Sequence, residues 1–295
     1  MQTEEIRREI RHRKQQPKPL RGGYHMAGFG GMGIGIGVGI GPSGQGVTPP
    51  PGSSGGPVDP LTIVTSRTAL FGFSADIGAP VEAAGGVADD VSTWTDQSAN
   101  AYTATQATEA NRPTLITAAL NTHNVLRFTK ASTQRLVVGT LDLPAPGTTP
   151  IFICGAFKLN TFTTNDSIFG GNGSTTMRLL CTTTSMRCNN GANGNLVAVT
   201  AGVWYWFETY WANSATDDYL RIGLNTSASG ATFGNNNPAA GVLTIGAQQT
   251  AGSNPADITL ACMFAWSGGV PTELTTAVTG VRAWATGYYG GTLVI

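Results

Sequence analysis

A mostly β fold, a sandwich or jelly roll of many short strands, is what this sequence predicts, and three observations predict it. Short apolar segments follow one another at regular spacing from about residue 61 to residue 266. Turn signals such as Gly170-Gly171-Asn172-Gly173 and Asn189-Asn190-Gly191 separate them. The composition agrees: 40 glycines among 295 residues and only 12% charged residues, about half the usual ~25%, with 41% hydrophobic residues to build a core.

The chain divides into a basic N-terminal helix within residues 1–21, a Gly/Ile and Pro-rich extended arm over 22–60, and a strand-rich body over 61–295. Residues 2–16 read as a helix, supported by Glu4–Arg8 and Glu9–Arg13 at i,i+4 and ended by Pro17 and Pro19. Its apolar stripe is narrow, only Ile6 and Ile10, so it needs an outside partner to hold it. Residues 1–21 hold seven basic side chains, including Arg7, Arg8, Arg11 and Arg13, against three acidic ones. The net charge of the whole chain is zero, so the body carries the matching acidic excess. Such a tip suits docking on another surface.

The arm contains Gly33-Ile34-Gly35-Ile36-Gly37-Val38-Gly39-Ile40-Gly41. Alternation with period two is strand-like. Ile34, Ile36, Val38 and Ile40 would line one face, and the other, bare of side chains, lets a second backbone come close. Addition of this strand to a neighbouring subunit is the expectation, with Pro49-Pro50-Pro51 in a stiff spacer behind it.

In the body, strands are expected at 69–73, around Trp94, and at 102–106, 125–128, 135–138, 151–159, 167–170, 177–181, 196–199, 203–211, 219–224, 242–245 and 258–266. One helix is expected at 272–288, with Leu274, Val278, Val281, Ala285 and Tyr288 at helical spacing, Pro271 before it and Gly290 after it. Trp94, Trp204, Trp206, Trp211, Trp266 and Trp284 are assigned mostly to the core. Cys154 and Cys262 read as buried thiols, and Cys181 and Cys188 flank a hairpin in which a bridge is left open. No Cys/His spacing suits zinc. No apolar run approaches the ~20 residues of a membrane span, and no signal peptide is expected.

The span Val91 to Phe128 carries a resemblance. Trp94-Thr95-Asp96-Gln97-Ser98-Ala99-Asn100, then Gln106, Arg112-Pro113 and Leu126-Arg127-Phe128, resembles the opening of the concanavalin A-like lectin/glucanase domains of laminin-G-like type. Gly202-Val203-Trp204 with Thr209-Tyr210, Tyr219 to Asn225, Ile245-Gly246-Ala247 and the closing helix are similar to later parts of that family, so the likeness spans about 65–291. Ala99 stands where Gly is usual, and Thr226 replaces a Gly after Asn225. The resemblance implies a two-sheet antiparallel jelly-roll sandwich with a short C-terminal helix. It also implies carbohydrate binding, in the setting of secreted glycan binders or of bacteriophage virion proteins.

With the arm, the resemblance points to a non-enzymatic virion structural protein: a head fibre, decoration or tail protein assembled in the host cytoplasm. Its expected partners are other virion proteins (capsid, portal/neck or tail), further copies of itself, and host surface polysaccharide. Neither a membrane nor nucleic acid is expected as a partner. The alternatives are a free carbohydrate-binding module or a glycoside hydrolase. A hydrolase of this superfamily would need paired carboxylates, as in an E-x-D-x-x-E strand. Of the seven Glu residues only Glu208 is expected on a strand, and none begins that motif. His123 reads as a turn residue.

Loop asparagines that could bond sugar hydroxyls are Asn172, Asn189, Asn190, Asn193, Asn235, Asn236 and Asn237, although Asn/Gly pairs also serve turns. No cofactor and no metal are expected. Calcium, bound by some members of that family, is a minor option with Asp89, Asp90, Asp96, Asp217 and Asp218 as its oxygen donors.

Overall fold

A computed structural model describes residues 60–64, 68–76, 81–82, 89–143, 149–171, 177–189, 194, 196–212, 218–226, 241–248, 251–268 and 271–295. The expected helix and arm before residue 60 lie outside this set, as do Asn172, Asn190, Asn193, Asn235, Asn236, Asn237 and Asp217.

In chain order the elements are α1 (Pro60–Ile63), β1 (Thr68–Ser74), β2 (Val81–Glu82), β3 (Val91–Thr95), β4 (Thr103–Thr105), β5 (Thr114–Leu120), β6 (His123–Phe128), β7 (Leu136–Leu143), β8 (Ile151–Leu159) and β9 (Ser167–Gly170). There follow β10 (Arg178–Cys181), β11 (Ser185–Asn189), β12 (Val197–Ala198), β13 (Trp204–Trp211), β14 (Tyr219–Ile222), β15 (Asn225–Thr226), β16 (Gly241–Ile245), β17 (Ile258–Ser267), α2 (Pro271–Tyr289) and β18 (Leu293–Val294).

Two sheets form a sandwich. The first has the order β15-β14-β13-β8-β17-β6-β5, with β1 also paired to β17 and β18 to β13. The second has the order β12-β11-β10-β9-β16-β7-β4-β3-β2. All pairs are antiparallel except β13 with β18.

The first sheet is covered on both faces. Tyr205, Phe207 and Trp211 of β13 join the core between the sheets, beside Phe71, Trp94, Phe128, Phe157 and Phe169. Trp204, Trp206 and Tyr210 of the same strand face the opposite way, into a layer with Phe264, Trp266, Val281, Trp284 and Tyr289. Helix α2 roofs that layer, with Trp284 edge-on to Phe264 at 5.7 Å and to Trp206 at 6.4 Å. The aromatic run of β13 is therefore the mark of a strand without a wet face, where alternation has nothing to distinguish. All six tryptophans are buried, in two layers rather than one.

Polar ties hold the roof in place. Glu208 lies in the second layer at 1% exposure. Its two carboxylate oxygens accept from Nε and Nη2 of Arg282 on α2, and Trp206 Nε1 donates to Oε1 at 3.0 Å. At the far end of α2, His123 Nδ1 meets Asp76 Oδ2 at 2.6 Å, and its Nε2 meets the Tyr288 carbonyl at 2.7 Å. His123 thus opens β6 and joins three segments, a larger role than the turn residue expected from sequence.

Most expected strands match the observed ones within a residue or two. Two of full length were not expected. β5 follows Pro113 as an edge strand whose residues Ile116, Thr117, Ala118 and Ala119 are exposed, so it lacks a buried stripe. β11 has Arg187 between Met186 and Cys188, which dilutes its apolar signal. It forms the hairpin with β10, in which Cys181 pairs with Met186 and Cys188 with Leu179. The two cysteines are not opposite each other, and all four cysteines are free and buried. Burial pushes the Cys181 and Cys262 thiols up to about 12.

Candidate functional site

With the first sheet covered twice, the outer face of the second sheet is where the sandwich presents side chains across many strands. The register lays out one row. Thr93 pairs with Thr105, Thr105 with Val137, Val137 with Thr244, Thr244 with Gly170, Gly170 with Arg178, and Arg178 with Asn189. Their chain neighbours Trp94, Ala104, Val138, Ile245, Phe169, Leu179 and Cys188 all belong to the inter-sheet core. Strand pleating therefore turns this row outward.

The middle of the row is closed. Thr244 is fully buried, and a Cβ at Gly170 would stand 3.2 Å from the main chain of Gln248. The segment after β16 thus lies close over Gly170 and leaves little room for a side chain there. Gly246 starts that segment at φ +84°, with the Phe128 ring packed where a side chain would go. The two flanks of the row are distinct sites.

The first flank is an open depression of about 450 Å³ lined by Asn100, Ala101, Tyr102, Thr103, Thr105 and Gly139. Thr103 and Thr105 are exposed, Tyr102 is half-buried, and nothing lies within 4 Å of a Cβ added at Gly139. An aromatic face beside hydroxyl groups, over a floor without a side chain, is suited to an uncharged, hydroxyl-rich ligand.

The motif around Trp94 builds this rim. Asp96, 3% exposed, accepts from the main-chain N–H of Gly72 at 2.6 Å and of Ser98 at 2.8 Å through Oδ1. Its Oδ2 accepts from the Ser98 hydroxyl and, at 3.3 Å, from the Tyr102 N–H. Asn100 Nδ2 donates to the carbonyls of Ala69 and Leu70. Gln106 Nε2 reaches the Arg135 carbonyl, and Arg112 donates to the carbonyls of Gln106 and Ala107. These residues fix the loop on which Tyr102 and Thr103 stand.

The second flank holds Arg178 and Arg187 on adjacent strands. Arg178 Nε donates to Asn189 Oδ1 at 3.0 Å. Burial, and then the like charge of Arg187, lower the Arg178 pKa. Asn189, expected from sequence to face a sugar, is instead 3% exposed and aims an arginine.

Glu208 is buried under α2 and clamped by Arg282, so it is a tether. Asp96 spends both oxygens on the turn, and Asp218 accepts from the Ala212 N–H. Among the described residues, no three His, Cys, Asp or Glu side chains come together to hold a metal. Sequence reasoning missed Tyr102, Thr103, Thr105, Gly139, Arg178 and Arg187. A signal was there in Thr103-Ala104-Thr105, a short strand with polar residues either side of a small core residue.

Comparison with known proteins gives the fold. No family model matches the sequence, and no curated protein matches it. Among solved structures, an arabinofuranosidase complexed with arabinofuranosyl-α-1,2-xylobiose is similar over 79% of this chain and 66% of its own, at TM-score 0.52 and 14% identity. The Trypanosoma rangeli sialidase with the inhibitor DANA is similar over 70% of this chain, at TM-score 0.46 and 14% identity. The chain spans only 32% of that sialidase's length. A carbohydrate esterase from the Shiga toxin-encoding bacteriophage phi24B is covered whole by 69% of this chain, at TM-score 0.41 and 10% identity.

The expectation that the chain is not an enzyme is corrected by the arabinofuranosidase. That neighbour is an enzyme, so a sandwich of this fold occurs within a catalytic protein. The E-x-D-x-x-E strand is one of several catalytic layouts among glycosidases, so its absence does not exclude an enzyme. What stands is the fold, a two-sheet β-sandwich.

Proposed function

We propose that this chain is a glycan-binding protein of a bacteriophage particle, with a concanavalin A-like sandwich directed at host surface polysaccharide. The N-terminal basic segment and the Ile34–Ile40 strand dock on other virion proteins and on further copies of the chain. The observation that carries the glycan reading is the depression at Tyr102, Thr103, Thr105 and Gly139, on the sheet face that α2 leaves free. Virion attachment is supported by the charge placement of residues 1–21 and by the Gly/Ile alternation, an apolar strand that cannot bury itself.

A glycan array with the full chain tests the first part, using Gly139→Trp as the blocked control. An indole there projects into the depression, and its Cβ meets nothing within 4 Å. Loss of the bound glycan in the variant is expected, and equal binding by both proteins rules the site out. Reducing-end release from the same glycans reports whether binding is followed by cleavage. Removing residues 1–41 tests the second part, because particles assembled with that truncated chain should lack it.

A further inference from the structure

The second flank of the same face has a feature the first flank lacks, which is uncompensated positive charge. Arg178 stands opposite Asn189, and Arg187 stands opposite Leu180, so the two arginines are diagonal neighbours on one face of the β10–β11 hairpin. Between Asp166 and Glu208 the sequence contains no Asp or Glu at all, so neither the hairpin nor the loops that flank it can supply a partner. The two acids that bound this interval are engaged elsewhere. Asp166 is held by Lys130 at 2.5 Å, and Glu208 is sealed beneath α2 by Arg282. Among the described residues, no ion pair involves Arg178 or Arg187.

Their geometry is also prepared. The Asn189 amide oxygen fixes Arg178 through Nε, which leaves the outer edge of the guanidinium to donate elsewhere. Arg187 keeps its Nε buried with no hydrogen-bond partner. A buried donor without an acceptor is rare in folded proteins. Two neighbouring guanidinium groups repel each other until an anion binds between them, and their parallel N–H donors match a carboxylate.

We infer that Arg178 and Arg187 form an acidic-sugar subsite that takes the carboxylate of a uronic acid residue in a host polysaccharide. This rests on the reading of the outer face of the second sheet as a glycan surface. By strand count the subsite lies about 19 Å from Thr105, at ~4.8 Å per strand. It therefore engages either a second ligand or a distant residue of a long one.

The test is calorimetric titration of the full chain with a galacturonic acid oligosaccharide, a matched galactose oligosaccharide and sodium acetate. The wild type should bind the galacturonic acid oligomer, and Arg178→Gln with Arg187→Gln should weaken that binding at least tenfold without affecting binding of neutral glycans. Arg187→Gln alone breaks no hydrogen bond among the described residues, so it keeps the test valid should the double variant misfold, and it should weaken binding severalfold. Arg178→Lys with Arg187→Lys should restore affinity only in part, because a lysine carries the charge without the fork.

Unchanged binding in both Gln variants would assign the acid affinity to the basic N-terminal segment and overturn the inference. So would acetate that competes at the oligomer's own concentration, which would mark a bare anion site. If the wild type binds neutral glycans in a Gly139-dependent way but no galacturonic acid oligomer, the subsite falls and the general glycan reading stands. If it binds neither, both fall.

Discussion

Arg282→Met should cost the protein about 3 kcal/mol, and the reason lies in the asymmetry of the pair it breaks. Glu208 is 1% exposed and lies beside Trp206 beneath α2, whereas the Arg282 side chain keeps 30% of its surface in solvent. Removing the arginine returns a half-wet cation to water in neither state, but it strands a carboxylate that has lost both of its charged donors. Among the described residues, the Trp206 Nε1 bond at 3.0 Å is what remains to it. Breaking a buried ion pair from one side costs about 3–5 kcal/mol, and the low end applies because one partner is partly solvated. For a domain of this size that lowers Tm by roughly 6–12 °C. Urea unfolding of the single variant and of the pair Glu208→Met/Arg282→Met measures it. The double variant should recover to within about 1 kcal/mol of the wild type, because methionines fill the layer without a charge. If Arg282→Met costs less than about 1 kcal/mol, or the double variant is no better than the single one, Glu208 is not a buried tether and the account of the helical roof is wrong.

Further outcomes follow from other parts of the sandwich. Asp96→Ala leaves the Gly72, Ser98 and Tyr102 N–H groups without their acceptor and should cost about 2–5 kcal/mol in denaturant unfolding, with Asp96→Asn in between. Burial raises the Cys181 and Cys262 thiols from 9.0 to about 12, so these thiols stay protonated in the folded protein while the unfolded chain ionises. Their contribution to stability is whole below about pH 9 and is lost as pH climbs toward 12, so the urea midpoint should fall across that window and Cys262→Ala should flatten the fall. A thiol reagent at pH 8 should leave all four cysteines unmodified until the chain unfolds.

Much of the fold was legible because its strands carry their own punctuation. β8 and β9 were readable residue for residue from apolar runs closed by turn residues. β5 and β11 were not, since an edge strand of threonine and alanine and a hairpin strand with an arginine in its middle lack a continuous apolar signal. The site was harder still. Thr105, Val137, Arg178 and Asn189 come together only through the order of strands in the sheet, and strands distant in sequence lie side by side there. Asn189 had the right composition for a sugar contact, but its burial and its bond to Arg178 depend on a pairing that no local pattern encodes. Glu208 shows the converse. Its strand was correctly placed, but only the position of α2 decides that its carboxylate is sealed rather than presented.

The measurement that bears most directly on the central claim is equilibrium glycan binding by the full chain and by Gly139→Trp, both shown by thermal melting to be folded. The account predicts that the wild type captures at least one surface polysaccharide and that the indole at Gly139 abolishes the capture. Capture by the variant at wild-type strength, or no capture by the wild type across a broad array, would contradict it.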